Sequence, residues 1–368
     1  MAIRPRRPAR TRRPYGIGEW FGRDYLMTTG QERGELVAEA GKRYPDVRCR
    51  FRESFPAMAP RSKRGGTNLN CNKPGGVCCL RQHKGQEGGR QHYGPLVTTC
   101  PVRFCEDGTV FAHIAREVLA APRWRFAKEI DFLNPDVAPA QFPLPAEAEA
   151  LAEEAQEAAL EAGADGQLDL AGMEAQDGQR PADDEDARSV GRIDMVLAAA
   201  GEDGRPTGDW CAVELQAVYF QGDGMGNEWV AIKQQAEGRL LNDEAPPGPV
   251  GNRRPDFRSS GPKRLLPQLQ IKVPSLRRWG KKMAVVVDAP FFSTFGPMKR
   301  AEHVSNADII WCVVGYQQDQ ATRLFGLRVL GTYATTLEEA VIGLTAGKAK
   351  PKPDFEASLW EKLGEEAY

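Results

Sequence analysis

Two uninterrupted apolar runs, Met283-Ala284-Val285-Val286-Val287 and Ile309-Ile310-Trp311-Cys312-Val313-Val314, limit what this chain can become. A strand that is apolar on both faces must be covered on both faces, so each run reads as an inner strand of a sheet sandwiched between other layers. Helical patterns surround them, in Glu32 to Ala40, Phe111 to Leu119 and Trp229 to Ala236. Helices interleaved with buried strands specify an α/β core. Leu324 to Leu330 offers a further strand, and Lys128 to Leu133 another. Helical periodicity is also expected from Ile17 to Phe21, whereas the Gly-, Asn- and Cys-rich stretch from 49 to 105 shows few regular patterns. At 368 residues and 41% hydrophobic content, the chain can fill one large domain or two ordinary ones.

The formal net charge of −1 hides an asymmetry. Residues 146 to 186 hold fourteen acids and one base, Arg180, so the remainder of the chain carries an excess of +12. That excess gathers in Arg4 to Arg13 and in residues 253 to 282, where ten Lys or Arg accompany one acid, Asp256. A basic body suits a polyanion, because each neutralised phosphate releases counterions; a solvated basic face is the other reading. No run approaches the ~20 apolar residues that span a bilayer, and the basic N-terminus lacks the apolar stretch of a secretory signal. A soluble, intracellular (cytoplasmic) protein is expected, with no membrane partner.

Asp194 lies in Gly191-Arg192-Ile193-Asp194-Met195-Val196-Leu197, and after a turn Glu214 and Gln216 follow in Trp210-Cys211-Ala212-Val213-Glu214-Leu215-Gln216-Ala217-Val218. Side chains alternate along a strand, so Glu214 and Gln216 share one face while Val213, Leu215 and Ala217 take the other. Two acids on a hairpin make a divalent-metal site. The alternative is a surface hairpin in which Glu214 joins a salt bridge.

Six of the eight cysteines fall between 49 and 105. Cys211 and Cys312 sit in apolar runs and are expected in the core, where a thiol packs as a small hydrophobe. Cys49, Cys71, Cys78 and Cys100 form a candidate tetrahedral thiolate site, with Cys79, Cys105, His83 and His92 as spare donors. Such ligation would fix loops that have no core of their own. A scatter of free thiols is the alternative.

Taken together, the two motif sets resemble the NotI family of type II restriction endonucleases, which combine a PD-(D/E)xK core with a four-cysteine iron site. The family's cysteine settings, Cys-Pro-Phe, Cys-x-Lys, Gly-Val-Cys and Cys-Pro-x-Arg, correspond to Cys49, Cys71, Cys78 and Cys100 in order, with Arg50 replacing the first proline. The family's Glu-Ile-Gln is matched by Glu214-Leu215-Gln216, followed by Phe220-Gln221-Gly222, and Asp194 matches its strand acid. An upstream glutamate of the family is best matched by Glu129, with Glu117, Asp131 and Asp136 competing.

The resemblance implies an α/β fold: a PD-(D/E)xK nuclease core with a central mixed β-sheet flanked by helices, plus an irregular N-terminal region stapled by the four cysteines. With the composition of the tails and of the acidic stretch, it divides the chain into a disordered basic tail (1–15), a helical and four-cysteine region (16–108), the start of the nuclease core (109–133), an acidic flexible insertion (134–189), the nuclease core (190–345) and a C-terminal tail (346–368). It further implies Mg²⁺-dependent hydrolysis of double-stranded DNA at a palindromic site by a homodimer. Asp194 and Glu214 would hold Mg²⁺, Gln216 would orient the attacking water, and Glu129 would support a second ion. Iron or zinc on the four cysteines would be structural. Lys73, Arg81, Lys84, Arg253, Arg254, Arg258, Lys263 and Arg264 are the candidate DNA contacts. The competing readings are a non-enzymatic, metal-stapled DNA-binding protein and a PD-(D/E)xK repair nuclease.

Overall fold

The computed structural model describes residues 14–40, 47–60, 66–87, 90–132, 192–222, 225–237, 246, 248–249, 251–319, 321–345 and 351–365. The basic run Arg4 to Arg13 and the acidic stretch 134–189 lie outside them. The chain divides into one unit of residues 1–130 and 193–368 and a second, Asp131–Arg192, in which Arg192 pairs with Asp131 at 3.3 Å.

In chain order the elements are β1 (Tyr15–Trp20), β2 (Arg23–Asp24), α1 (Gly30–Ala40), α2 (Arg50–Ser54), β3 (Val77–Glu87), β4 (Arg90–Thr98), α3 (Thr109–Leu119), β5 (Trp124–Asp131), β6 (Arg192–Ala200) and β7 (Pro206–Leu215). There follow β8 (Phe220–Gln221), α4 (Gly226–Glu237), β9 (Arg254–Pro255), a π-helical turn (Ser259–Leu265) that runs into α5 (Leu266–Arg278), β10 (Met283–Asp288), α6 (Ala289–Phe292), β11 (Ile309–Gln318), β12 (Phe325–Thr335), α7 (Leu337–Thr345) and α8 (Lys352–Glu365).

The two apolar runs become β10 and β11, side by side and parallel, at the middle of a six-stranded mixed sheet of order β12-β11-β10-β7-β6-β5. Every residue of β10 is buried, as a strand covered on both faces requires. On one face α3 packs Val110, Phe111 and Ile114 against Met195, Leu197, Val213, Val286 and Val314. Each such side chain contributes about 1.5–3 kcal/mol of transfer free energy. Cys211 and Cys312 belong to this core, as expected.

Two expectations are corrected. Ile17 to Phe21 is not helical: Tyr15–Trp20 is strand β1, paired antiparallel with β3. The spacing of Ile17, Trp20 and Phe21 imitates a helix, while the intervening Gly18 serves close packing, since a Cβ there would lie 2.4 Å from the Leu96 side chain. Nor is 49–105 irregular throughout. Val77–Glu87 and Arg90–Thr98 pair antiparallel in a four-stranded sheet of order β2-β1-β3-β4, and their alternation is obscured by register shifts between Arg81 and His83 and between His83 and Gly85.

The turn into β3 is built around Gly76, at φ 67°, where a Cβ would lie 2.2 Å from the Phe21 ring. Trp20 Nε1 donates to Gly75 O at 2.8 Å and Phe21 N to Gly76 O at 2.8 Å, so this turn is seated on the end of β1.

Arg103 has no solvent exposure. It donates to Glu19 of β1 at 2.6 Å, to Glu106 at 2.9 Å and to the Phe325 carbonyl of β12 at 2.9 Å, with its guanidinium over the rings of Phe51 and Tyr316. Burial pushes Glu19 above the usual carboxylate range, and Arg103 opposes that shift. Arg103→Met should leave Glu19 and Glu106 without their buried cation and cost about 3–5 kcal/mol in urea unfolding. A loss under about 1 kcal/mol would contradict the role given to this pair.

Candidate active site

Strands β6 and β7 pair antiparallel with Met195 opposite Val213, a register that places Asp194 across from Glu214. On its other side β7 runs parallel to β10, with Glu214 beside Val285. Glu214 therefore lies in the interior of the sheet and is 3% exposed, while about half of the Asp194 side chain meets solvent. Val213 and Leu215 face the α3 core, so Glu214 is turned to the opposite face.

On that face Lys272 of α5 meets the acids. Its Nζ is 2.9 Å from Glu214 Oε2, 3.8 Å from Asp194 Oδ1 and 3.0 Å from Gln268 Oε1 one helical turn earlier. Lys272 is 5% exposed. Burial, then the Asp194 carboxylate, pushes Glu214 up to about 8, and Lys272 pulls it down. The arrangement offers two carboxylates as hard oxygen donors, one of them open to solvent, with an ammonium between helix and sheet.

Asp194 and Glu214 are thus brought together as expected. Gln216 is buried beside them in sequence, but its Nε2 donates to the Ala217 carbonyl at 2.7 Å, and its backbone N–H donates to Val286 O at 3.0 Å. Glu129 lies exposed on edge strand β5 with φ 55°, a left-handed conformation within a strand. Lys272 is a member of this site that the motif reading missed. It occupies the buried stripe Leu265, Leu269, Lys272, Leu276, and a cation on an apolar helix face signals an anion opposite.

Backbone hydrogen bonds draw the cysteine segments together. Cys49 N donates to Leu69 O, Cys71 N donates to Val47 O, both at 2.8 Å, and Cys100 N donates to Cys78 O at 3.2 Å. All eight cysteines are free thiols. Burial raises Cys49, with Cys100 adding to the shift; it raises Cys71 to about 12, with Cys100 and Cys49 adding; and it raises Cys78, with Glu19, Cys100 and Cys71 adding. The four thiols share one neighbourhood, which Arg52 borders. Among the described residues, however, no group of three or more His, Cys, Asp or Glu stands in metal-binding geometry. Cys105 lies by the same group, whereas Cys79 directs its thiol to Glu19 at 3.5 Å.

The candidate DNA-facing bases separate into two sets. Lys84, Arg254, Arg258, Lys263 and Arg264 are exposed, with the Arg264 guanidinium 3.4 Å from the centre of the Tyr219 ring. Arg253 is instead buried against Glu228 at 2.5 Å, Lys73 donates to Thr99 O at 3.2 Å, and half-buried Arg81 stacks on Tyr93. A cavity of about 820 Å³, lined by Phe21, Arg23, Leu36, Val47 and Arg50 among others, does not include the paired acids. No described helix is long and apolar enough to cross a membrane.

Because Glu214 is raised above its unfolded value of 4.5, its protonated form contributes stability in acid that is lost as pH rises through about 8. Asp194→Asn removes the neighbouring charge, lowers that folded-state value and so shrinks the loss. In chelator, the variant should equal the parent in acid and exceed it by about 1 kcal/mol or less above neutrality, since Asp194 is half exposed and screened. Thermal unfolding across pH checks this; a variant less stable than the parent in alkali would contradict it.

A family model described as restriction endonuclease NotI matches residues 25–139 and 159–327, more than half of the chain. No curated protein matches.

Proposed function

The chain belongs to the NotI restriction endonuclease family, so it is a DNA-cleaving hydrolase of the site-specific type II class acting on double-stranded DNA, and from that premise we propose that Asp194 and Glu214 are the metal-holding acids of a PD-(D/E)xK centre that requires Mg²⁺. The observation that carries this reading is the meeting of the two carboxylates across β6 and β7, one buried in the sheet and the other open to solvent. Hard oxygen donors of this kind fit a magnesium ion. When bound, magnesium supplies Lewis-acid stabilisation of phosphate charge and a lowered pKa for its water.

The chain's own residues do the positioning. Glu214, fixed on an inner strand, gives the site its rigid ligand. Asp194, on the solvent side, is the acid a phosphodiester approaches. Gln216 carries an amide, which can orient water but cannot act as a base near neutrality. In the reaction the oxygen of a water bonds to phosphorus and loses a proton to solvent, while the bond from phosphorus to the leaving deoxyribose oxygen breaks and that oxygen takes up a proton from solvent. Glu129 is proposed as the support of a second ion.

The four thiols are proposed to hold a structural iron or zinc. Their chemistry fits such an ion: four soft donors share one buried neighbourhood, and Arg52 beside them offsets the negative charge that ligation creates. Arg254, Arg258, Lys263 and Arg264 are proposed phosphate or base contacts, with Lys84. Cleavage of both strands at a palindrome calls for a two-fold homodimer.

Glu214→Ala should abolish Mg²⁺-dependent cleavage of mixed-sequence plasmid while DNA binding persists in a mobility-shift assay; cleavage at the parent rate would sink the assignment. Elemental analysis of purified protein should find about one iron or zinc per chain. Cys71→Ser should lose that ion together with thermal stability, and a metal-free parent would overturn the thiolate reading.

A further inference from the structure

We propose that Lys272 is the active-site lysine of this protein, delivered by helix α5 to the carboxylates of β6 and β7 in place of a lysine two residues after Glu214 on the strand. The inference rests on the nuclease reading of Asp194 and Glu214 and deepens it.

Several observations converge. The position two residues after Glu214, just past the end of β7, carries Gln216, an uncharged amide whose Nε2 is engaged with the Ala217 carbonyl. The site nevertheless holds an ammonium, because Lys272 Nζ lies 2.9 Å from Glu214 and 3.8 Å from Asp194. Its direction is set by a third acceptor, Gln268 Oε1 at 3.0 Å, on the same face of the same helix. Lys272 also stands in the buried stripe of α5, between Leu269 and Leu276, both without solvent exposure. Placing a cation there costs several kcal/mol of desolvation unless an anion meets it, and an apolar pair in the same space is commonly as stable or more so. A buried lysine aimed at two acids, one of them open to solvent, therefore fits a chemical role better than a packing role.

That role is electrostatic. Phosphodiester hydrolysis builds negative charge on the non-bridging oxygens of the scissile phosphate, and a fixed ammonium at the edge of the metal-holding acids stabilises that charge as it forms. With a divalent ion on the carboxylates, Gln268 remains as the acceptor that holds Nζ in the site.

The test uses the full chain in four variants, Lys272→Met, Lys272→Gln, the exchange pair Gln216→Lys with Lys272→Gln, and Glu214→Ala as control. Single-turnover plasmid cleavage at saturating Mg²⁺, Ca²⁺ binding by calorimetry without DNA, and thermal unfolding are measured on each. Lys272→Met and Lys272→Gln should cleave about 100-fold or more slowly, yet bind Ca²⁺ at least as tightly as the parent, because the competing cation is gone. The exchange pair should recover about tenfold or more over Lys272→Gln by returning an ammonium from the strand. Should Lys272→Met fail to fold, Lys272→Gln, which keeps a hydrogen-bond donor toward Glu214, and the exchange pair carry the decision. Cleavage by folded Lys272 variants within about fivefold of the parent, with Glu214→Ala inactive, overturns the lysine assignment and leaves the nuclease reading standing. Slow cleavage with weakened Ca²⁺ binding and no recovery in the exchange pair overturns it too, marking Lys272 as a structural counter-ion. An active Glu214→Ala removes the reading on which the inference rests.

Discussion

One guanidinium with no access to water, that of Arg103, holds the strand layer that carries the cysteines to the edge of the central sheet. It reaches Glu19 on β1, Glu106 in its own turn and a carbonyl on β12, and it is clamped between the rings of Phe51 and Tyr316. Glu106 in turn accepts from Arg50 at 2.7 Å and from the Leu327 backbone N–H at 2.6 Å. Charges this deep are stable only as a complete set. Phe51 is two residues from the half-buried Cys49 cap of α2, and Arg103 is three residues from Cys100. The same network thus fixes the two segments on which any thiolate chemistry depends.

The inner strands and the paired acids were legible because their signals are local. An apolar run needs cover on both faces wherever it is placed, and Asp194 and Glu214 flank a turn short enough to dictate their register. Lys272 was harder to see. Its helix contains Pro274 and is entered through a π-helical turn, which disguises the periodicity, so the lysine merges into a generally basic segment. The useful sign was its neighbours: Leu269, Val273 and Leu276 place it on a face where a cation needs a partner. Tyr15–Trp20 misled for a different reason. Its glycines serve close contact with β3 and β4, and a single sequence does not display what lies across a sheet.

The structure also reapportions the basic charge. Of the ten bases between 253 and 282, Arg253 is buried with Glu228, Lys272 faces the acids, and Arg277 is paired with Asp308 and Glu338. What remains exposed on the approach to α5 is compact: Arg254, Arg258, Lys263 and Arg264, the last stacked on Tyr219, five residues beyond Glu214. A proposed phosphate-contacting surface is therefore tied to the acid-bearing segment through Tyr219, and is narrower than composition alone suggests.

The mixed topology of the sheet has a kinetic consequence. β6 and β7 are joined by a short turn, so pairing Asp194 with Glu214 closes only a small loop. The parallel pairing of β7 with β10 has to enclose everything from 216 to 282 before it returns any contact, and such non-local pairings form late. Helix α5 leads directly into β10 and arrives with it. The folding chain therefore brings two like charges together first and supplies their ammonium afterwards, so an incomplete molecule holds a pair of carboxylates but lacks the cation that completes the site.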